Sequence, residues 1–186
     1  MDREEIIAST RLWVERLVVD LNLCPFAKRE LVKNRVRFSV TDAATEAQLV
    51  ADLRAELAFL QDNPSTETTL LIHPKVLQDF FDYNQFLDEA DYLLEELDLE
   101  GIVQIASFHP HYQFGGTQPG DAENYTNRSP YPILHLLREE SLEQAIANYP
   151  DSDEIPEHNI ERMNALGGEH LGKLLQSCLQ PAANTD

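Results

Sequence analysis

A few histidines, one arginine and one cysteine stand where their types and spacing could do chemistry. His73 and His109 each close an apolar run and each precede a proline, in Ile72-His73-Pro74 and Phe108-His109-Pro110. Imidazole titrates near neutrality, so His109 is the candidate general acid or base, with His73 and His135 as further candidates. His109-Pro110-His111 also sets two imidazoles on one side of an extended chain, and His73, Asp121 or His135 could add a third metal ligand; an isolated H-x-H pair has no zinc-motif spacing. In Asn127-Arg128-Ser129-Pro130, Ser129 reads as a helix cap and Pro130 as the first helical position. A helix start binds anions through its free N–H groups, and Arg128 beside it can grip phosphate or carboxylate with two bonds. Arg138 follows His135 by three residues, on one face of the expected helix. Asn124, Tyr125 and Asn127 would orient a ligand. Asp121 and Glu123 carry the opposing reading, in which they neutralise Arg128.

Cys24, in Asn22-Leu-Cys-Pro-Phe-Ala27, is a candidate nucleophile. Lys28 and Arg29 would lower its pKa. It resembles half of a C-P-x-C redox pair, but Ala27 replaces the second cysteine, and a buried, inert thiol is the preferred reading. Cys178 lies on an apolar helix face and belongs to the core. The sequence holds no G-x-x-x-x-G-K-[ST], G-x-G-x-x-G, G-x-S-x-G or H-E-x-x-H pattern. That argues against a P-loop nucleotidase, a Rossmann dehydrogenase, the usual α/β-hydrolase and a zincin protease, and it leaves the cofactor unknown.

These residues must be positioned by the elements around them. Apolar residues at helical spacing predict a helix over 3–21, stopped near Pro25. RVRFSV (35–40) alternates, with Val36, Phe38 and Val40 on one face and Arg35, Arg37 and Ser39 on the other, as a half-buried strand does. Thr41 or Asp42 would cap a helix running to about Gln61. TTLLIHP (68–74) reads as a buried strand, 75–98 as a helix and IVQIASF (102–108) as a third strand. Two strand–helix–strand crossovers imply a largely parallel sheet. Further helices are expected from Pro130 or Pro132 through Arg138, from a capping box at Ser141-Leu-Glu-Gln144, from Pro156 to Gly167-Gly168, and on to Leu179. Strands two and three, if neighbours, would bring His73 and His109 together at the carboxyl edge, where open parallel sheets bind ligands. The segment 109–132 then covers that edge. It is longer than the roughly 12–15 residues beyond which structureless loops become uncommon. It carries Tyr112, Phe114, Tyr125 and Tyr131, which suits an ordered loop better than a linker. An elaborate but inert loop is the competing reading.

The expected fold is therefore α/β: a single domain over residues 1–180, with a small, mostly parallel sheet of at least three strands covered by helices, a helical C-terminal part, and a frayed tail at 181–186. At 186 residues and 42% hydrophobic, the chain can bury a sizeable core without staples. Two cysteines exclude a disulfide framework, and with neither a long apolar run nor a signal-like N-terminus a cytoplasmic location is expected. The 33 acidic residues outnumber 14 basic ones, a net charge of −19 that disfavours nucleic acid and anionic membranes as partners. The cations are unevenly placed. Lys28, Arg29, Lys33, Arg35 and Arg37 fall within ten residues, whereas only Arg54 and Lys75 face seventeen carboxylates between Phe38 and Asn127. Such a concentration marks either a site for a small anion or a solvated basic face.

Asn22-Leu-Cys-Pro-Phe-Ala27, Ile105-Ala-Ser-Phe-His-Pro110, the block Asn124-Tyr-Thr-Asn-Arg-Ser-Pro-Tyr-Pro132 and Leu134-His-Leu-Leu-Arg-Glu139 together resemble a bacterial family. It is the domain-of-unknown-function family numbered fourteen-fifteen, and the likeness covers nearly the whole chain. The resemblance implies a soluble bacterial protein of one domain and carries no catalytic roles. The residues themselves point to a small anionic metabolite bound at the strand carboxyl ends, with hydrolase or transferase chemistry run by histidine. The alternatives are a nonenzymatic ligand- or partner-binding module and a His-ligated metal site. The oligomeric state stays open.

Overall fold

In the computed structural model, residues 2–149 and 152–179 are described. Asp2 opens α1 (Arg3–Trp13) with a capping box to Glu5, and the helix runs on into a π-helical turn, Val14–Val19. A short helix, α2 (Ala27–Val32), precedes β1 (Val36–Val40). Then follow α3 (Glu46–Asp62), β2 (Thr68–Ile72), α4 (Phe80–Glu96) and β3 (Val103–Phe108). Thr45, not Thr41 or Asp42, caps α3, and Asp79 caps α4, so 73–79 is loop rather than the first turn of that helix. After the loop and its 3-10 turn (Ala122–Thr126) come β4 (Ile133–Arg138), α5 (Glu139–Ala147), α6 (Ile155–Leu166) and α7 (Gly168–Leu179). Pro156 sits in the first turn of α6, as expected. Gly167, at φ 80°, separates α6 from α7 in a conformation that favours glycine. The expected capping box at 141–144 lies inside α5, which has already begun at Glu139. The tail at 181–186 lies outside the described residues.

The sheet order is β1-β2-β4-β3. Only β1 and β2 pair in parallel; β4 runs antiparallel to β2 on one side and to β3 on the other. The mostly parallel sheet expected from the sequence is thus corrected to a mostly antiparallel one, and the helix expected over 130–138 is a central strand. The cause is burial on both sides. Ile133, Leu134 and Leu136 are all fully buried, so ILHLLR carries apolar residues on both faces and shows no two-residue alternation. Strands β1, β2 and β3 still run the same way, so their carboxyl ends share one edge with the start of β4.

Helices cover both faces. On one face, Leu71, Val103, Leu134 and Leu136 pack with Leu49, Leu53, Leu57 and Leu60 of α3 and with Tyr83, Phe86 and Leu93 of α4. On the other, Val40, Leu70, Ile72 and Ile133 pack against Trp13, Leu17, Leu175 and the buried Cys178. Among the described residues no helix is long and apolar enough to cross a membrane.

Candidate functional site

His73 and His109 do meet, but not across neighbouring strands. β4 lies between β2 and β3, and it is Tyr83 of α4 that joins the two rings. Its ring centroid is 5.7 Å from that of His73 and 5.0 Å from that of His109. All three side chains are fully buried. The Tyr83 hydroxyl donates to the Ile133 carbonyl (2.7 Å) and accepts the Phe108 N–H (3.0 Å), which stitches β3 to β4 at the carboxyl edge.

The partners of the two imidazoles fix their protons. Nδ1 of His73 lies 3.1 Å from the Val76 carbonyl, which can only accept, so Nδ1 carries the hydrogen and Nε2 is a buried lone pair without a partner among the described residues. In His109, Nε2 donates to the Leu77 carbonyl (3.2 Å) while Nδ1 accepts the His111 N–H (3.0 Å), so both nitrogens are spent on the main chain. Burial lowers both rings to about 4, so they are neutral at neutral pH, and the neighbouring His109 depresses His73 further. The two rings hold the 73–79 loop, whose Leu77 sits at a left-handed φ of 56°. His111, by contrast, is exposed, with its ring 5.9 Å from that of His109.

The 109–132 segment is ordered by its own polar side chains. Asn124 is fully buried: its Oδ1 accepts the Phe114 N–H and the Thr117 hydroxyl (both 2.9 Å), and its amide donates to the Gln118 carbonyl (2.8 Å). Asn127 lies along β3, with its amide on the Ser107 carbonyl (3.0 Å) and its own carbonyl taking the His109 N–H (3.2 Å). Ser129 is buried and donates to the Tyr131 carbonyl at 2.5 Å. It caps no helix, because residues 129–132 bend straight into β4. The helix-start anion pocket expected there is corrected accordingly.

Arg128 is held differently. Its Nε donates to the Tyr112 carbonyl (3.1 Å), one Nη2 hydrogen goes to the Pro119 carbonyl (2.7 Å), and the guanidinium lies 4.6 Å from the centre of the Tyr125 ring. Its main-chain carbonyl accepts the Trp13 indole N–H (2.9 Å). Neither Asp121 nor Glu123 pairs with it: the Asp121 carboxylate bonds the Gln118 N–H (2.7 Å), and no carboxylate among the described residues is within ion-pair distance of the guanidinium.

The remaining candidates lie apart from this group. His135 is on the opposite face of the sheet, paired in register with Leu70 and Ala106. Its Nε2 meets the Thr68 hydroxyl at 2.7 Å, its ring is 6.0 Å from that of Phe108, and burial lowers its pKa to about 4. Arg138 is at the far end of β4, where it donates to the carbonyls of Leu60, Asn63 and Thr66 and closes the end of α3. As strand residues three apart, His135 and Arg138 face opposite sides, so the shared helix face is corrected too. Burial raises the Cys24 thiol above its ordinary pKa, outweighing its two main-chain hydrogen bonds. Among the described residues no three His, Cys, Asp or Glu side chains gather as a metal would need.

A cleft of about 570 Å³ opens at the end of β1, lined by Arg3, Arg37, Ser39, Thr41, Asp52 and Glu56 among others. Of its lining, the sequence pointed only to Arg37, through the cation-rich stretch 28–37. The polar face of RVRFSV was the other available signal. In the fold that face meets α3: Arg37 pairs with Glu56 (2.8 and 3.0 Å), Ser39 donates to the same carboxylate (2.8 Å), and Thr41 bonds Asp52.

The family model for proteins of unknown function (DUF1415) matches residues 5–173, from the first turn of α1 to the first half of α7. The chain belongs to the DUF1415 family. No curated protein and no solved structure matches it. Membership places the 22–27, 105–110 and 124–139 blocks of this DUF1415 chain within the matched span, and it assigns none of them a role.

Proposed function

We propose that this DUF1415 protein binds a small metabolite carrying a phosphate or carboxylate at the carboxyl edge of its sheet, with Arg128 as the anion's partner. One observation carries the reading. In a chain with 33 acidic residues, Arg128 is fixed by two carbonyls and an aromatic ring yet has no carboxylate against it among the described residues. A guanidinium has five N–H donors, and only two are used here, so one Nη2 hydrogen and both Nη1 hydrogens remain for a ligand. A pre-set fork matches phosphate and carboxylate geometry and loses little freedom on binding. His111 is exposed and next in sequence to Tyr112, whose carbonyl holds Arg128. Histidine acid–base chemistry at this edge therefore falls to His111 before His109, whose nitrogens are both occupied.

The test is a thermal-shift titration at fixed ionic strength with phosphate, sugar phosphates, nucleotides and dicarboxylates. A ligand at one hundred times its dissociation constant stabilises the native state by about 2.7 kcal/mol. One anion class should give a saturable rise that Arg128→Ala loses and that Arg162→Ala, an exposed cation elsewhere, keeps. Equal shifts in all three proteins, or none from any class, would sink the proposal. Turnover of the bound class, abolished by His111→Ala with binding intact, separates an enzyme from a binding module.

A further inference from the structure

Residues 168 and 172 of α7 are both glycine, four apart and so on one side of the helix. The 109–132 segment comes closest to α7 at these two positions. A Cβ at Gly172 would stand 3.0 Å from the Tyr125 hydroxyl oxygen and 3.9 Å from Cζ of that ring. A Cβ at Gly168 would stand 2.9 Å from the Gly120 carbonyl oxygen and 4.0 Å from Cε2 of Tyr125. Glycine is a poor helix former beside alanine, so position 172 weakens α7 where the ring approaches it.

Both of these neighbours bear on Arg128. The Tyr125 ring centre lies 4.6 Å from the guanidinium carbon. Gly120 follows Pro119, whose carbonyl takes an Nη2 hydrogen at 2.7 Å. Two of the three contacts that orient the guanidinium therefore rest on α7, and the third is the Tyr112 carbonyl on Nε. Neither support can yield freely. The 119–120 turn meets Gly168 main chain to main chain, and a phenol hydroxyl moves only when its rigid ring tilts.

We propose that Gly168 and Gly172 are positioning residues for Arg128. By admitting the Gly120 carbonyl and the Tyr125 hydroxyl against α7, they set the plane of the guanidinium and the direction of its free N–H groups. The inference rests on Arg128 as the anion's partner. A methyl group at 172 would push the hydroxyl away, tilt the ring and turn the guanidinium lying against it. A methyl group at 168 would displace the turn that holds Nη2.

Two readouts on the full-length protein test this. Thermal-shift titration gives dissociation constants for inorganic phosphate and succinate. Labelling with nitrogen-15 arginine gives the Nε–H resonance of Arg128, assigned through its loss in Arg128→Lys. Gly172→Ala should weaken binding about tenfold, because a binding group must be held to within about 0.5 Å. It should also move the Arg128 resonance while those of Arg54 and Arg162 stay. Tyr125→Phe removes the atom that the methyl group would meet. Whatever Tyr125→Phe does alone, adding Gly172→Ala to it should change neither affinity nor resonance further, and should raise the Tm as alanine favours the helix. Gly168→Ala should weaken binding with or without Tyr125→Phe, since its obstacle is main chain. An unmoved resonance in Gly172→Ala, or the same loss from Gly172→Ala in both backgrounds, would overturn the proposal. If neither anion binds the native protein, the anion role of Arg128 falls, and the resonance alone then decides whether α7 positions this side chain.

Discussion

Tyr83 shows how one hydroxyl can serve two strands. It is donor to Ile133 and acceptor for Phe108, and it lies fully buried between two neutral imidazoles. Burial raises its pKa, so the phenol keeps its proton and its donor role. Tyr83→Phe would leave a carbonyl and an N–H without their partner in the core, at about 1–3 kcal/mol for an unsatisfied buried group. Urea unfolding should show that loss with an unchanged m-value. A loss under about 0.5 kcal/mol would mean that β3 and β4 close on each other directly, below the range for an unmade bond. The sequence announced His73 and His109 by their strand-end positions but said nothing of Tyr83, one of many apolar-face residues of α4. Nor could it show that both imidazoles are engaged. That depends on the carbonyls of Val76 and Leu77, which belong to a loop with no pattern of its own.

At the scale of elements, the 109–132 segment was legible as an ordered loop, because it is rich in aromatics and poor in the simple repeats of a linker. What orders it was less legible. Asn124 read as a ligand contact; in the fold its three bonds close the turn 114–124 on itself. Asn124→Ala should cost about 2 kcal/mol, as loss of a buried polar network member does. It should also raise amide exchange from Phe114 to Thr126 well before it does so in β4. Uniform acceleration across the sheet would instead place Asn124 in the global core. β4 itself was the element misread. A strand buried on both faces lacks alternation, and four apolar residues in ILHLLR match a helical turn equally well. The other strands, β1, β2 and β3, were readable because they are half-buried or bounded by proline and glycine. The error then propagated: a helix at 130–138 created a cap for Ser129 and a shared face for His135 and Arg138, and the strand removes both.

At the scale of the whole molecule, pH should act through the buried imidazoles before it acts through the carboxylates. An unfolded histidine titrates near 6.5, whereas His73 and His109 in the fold titrate at about 4. Between those values the unfolded chain holds more protons than the native one, so falling pH favours unfolding. The stabilisation is full above about 6.5, declines as pH drops toward 4, and declines no further from these groups below that. The carboxylates follow later. Asp42, bonded to Lys75 and Arg3, titrates below its ordinary value, so its contribution is lost only at still lower pH. Protonating the excess of acids also relieves self-repulsion, an effect of opposite sign, but carboxylates stay largely ionised above about pH 5. The window from pH 6.5 to 5 therefore isolates the imidazoles. Urea midpoints should fall steadily across it in the native protein. In His73→Asn, which keeps a donor for the Val76 carbonyl but cannot titrate, the slope should be shallower whatever the absolute stability. Parallel slopes in the two proteins would mean that His73 gains its proton without unfolding, and that its buried Nε2 is reached by solvent through the 73–79 loop.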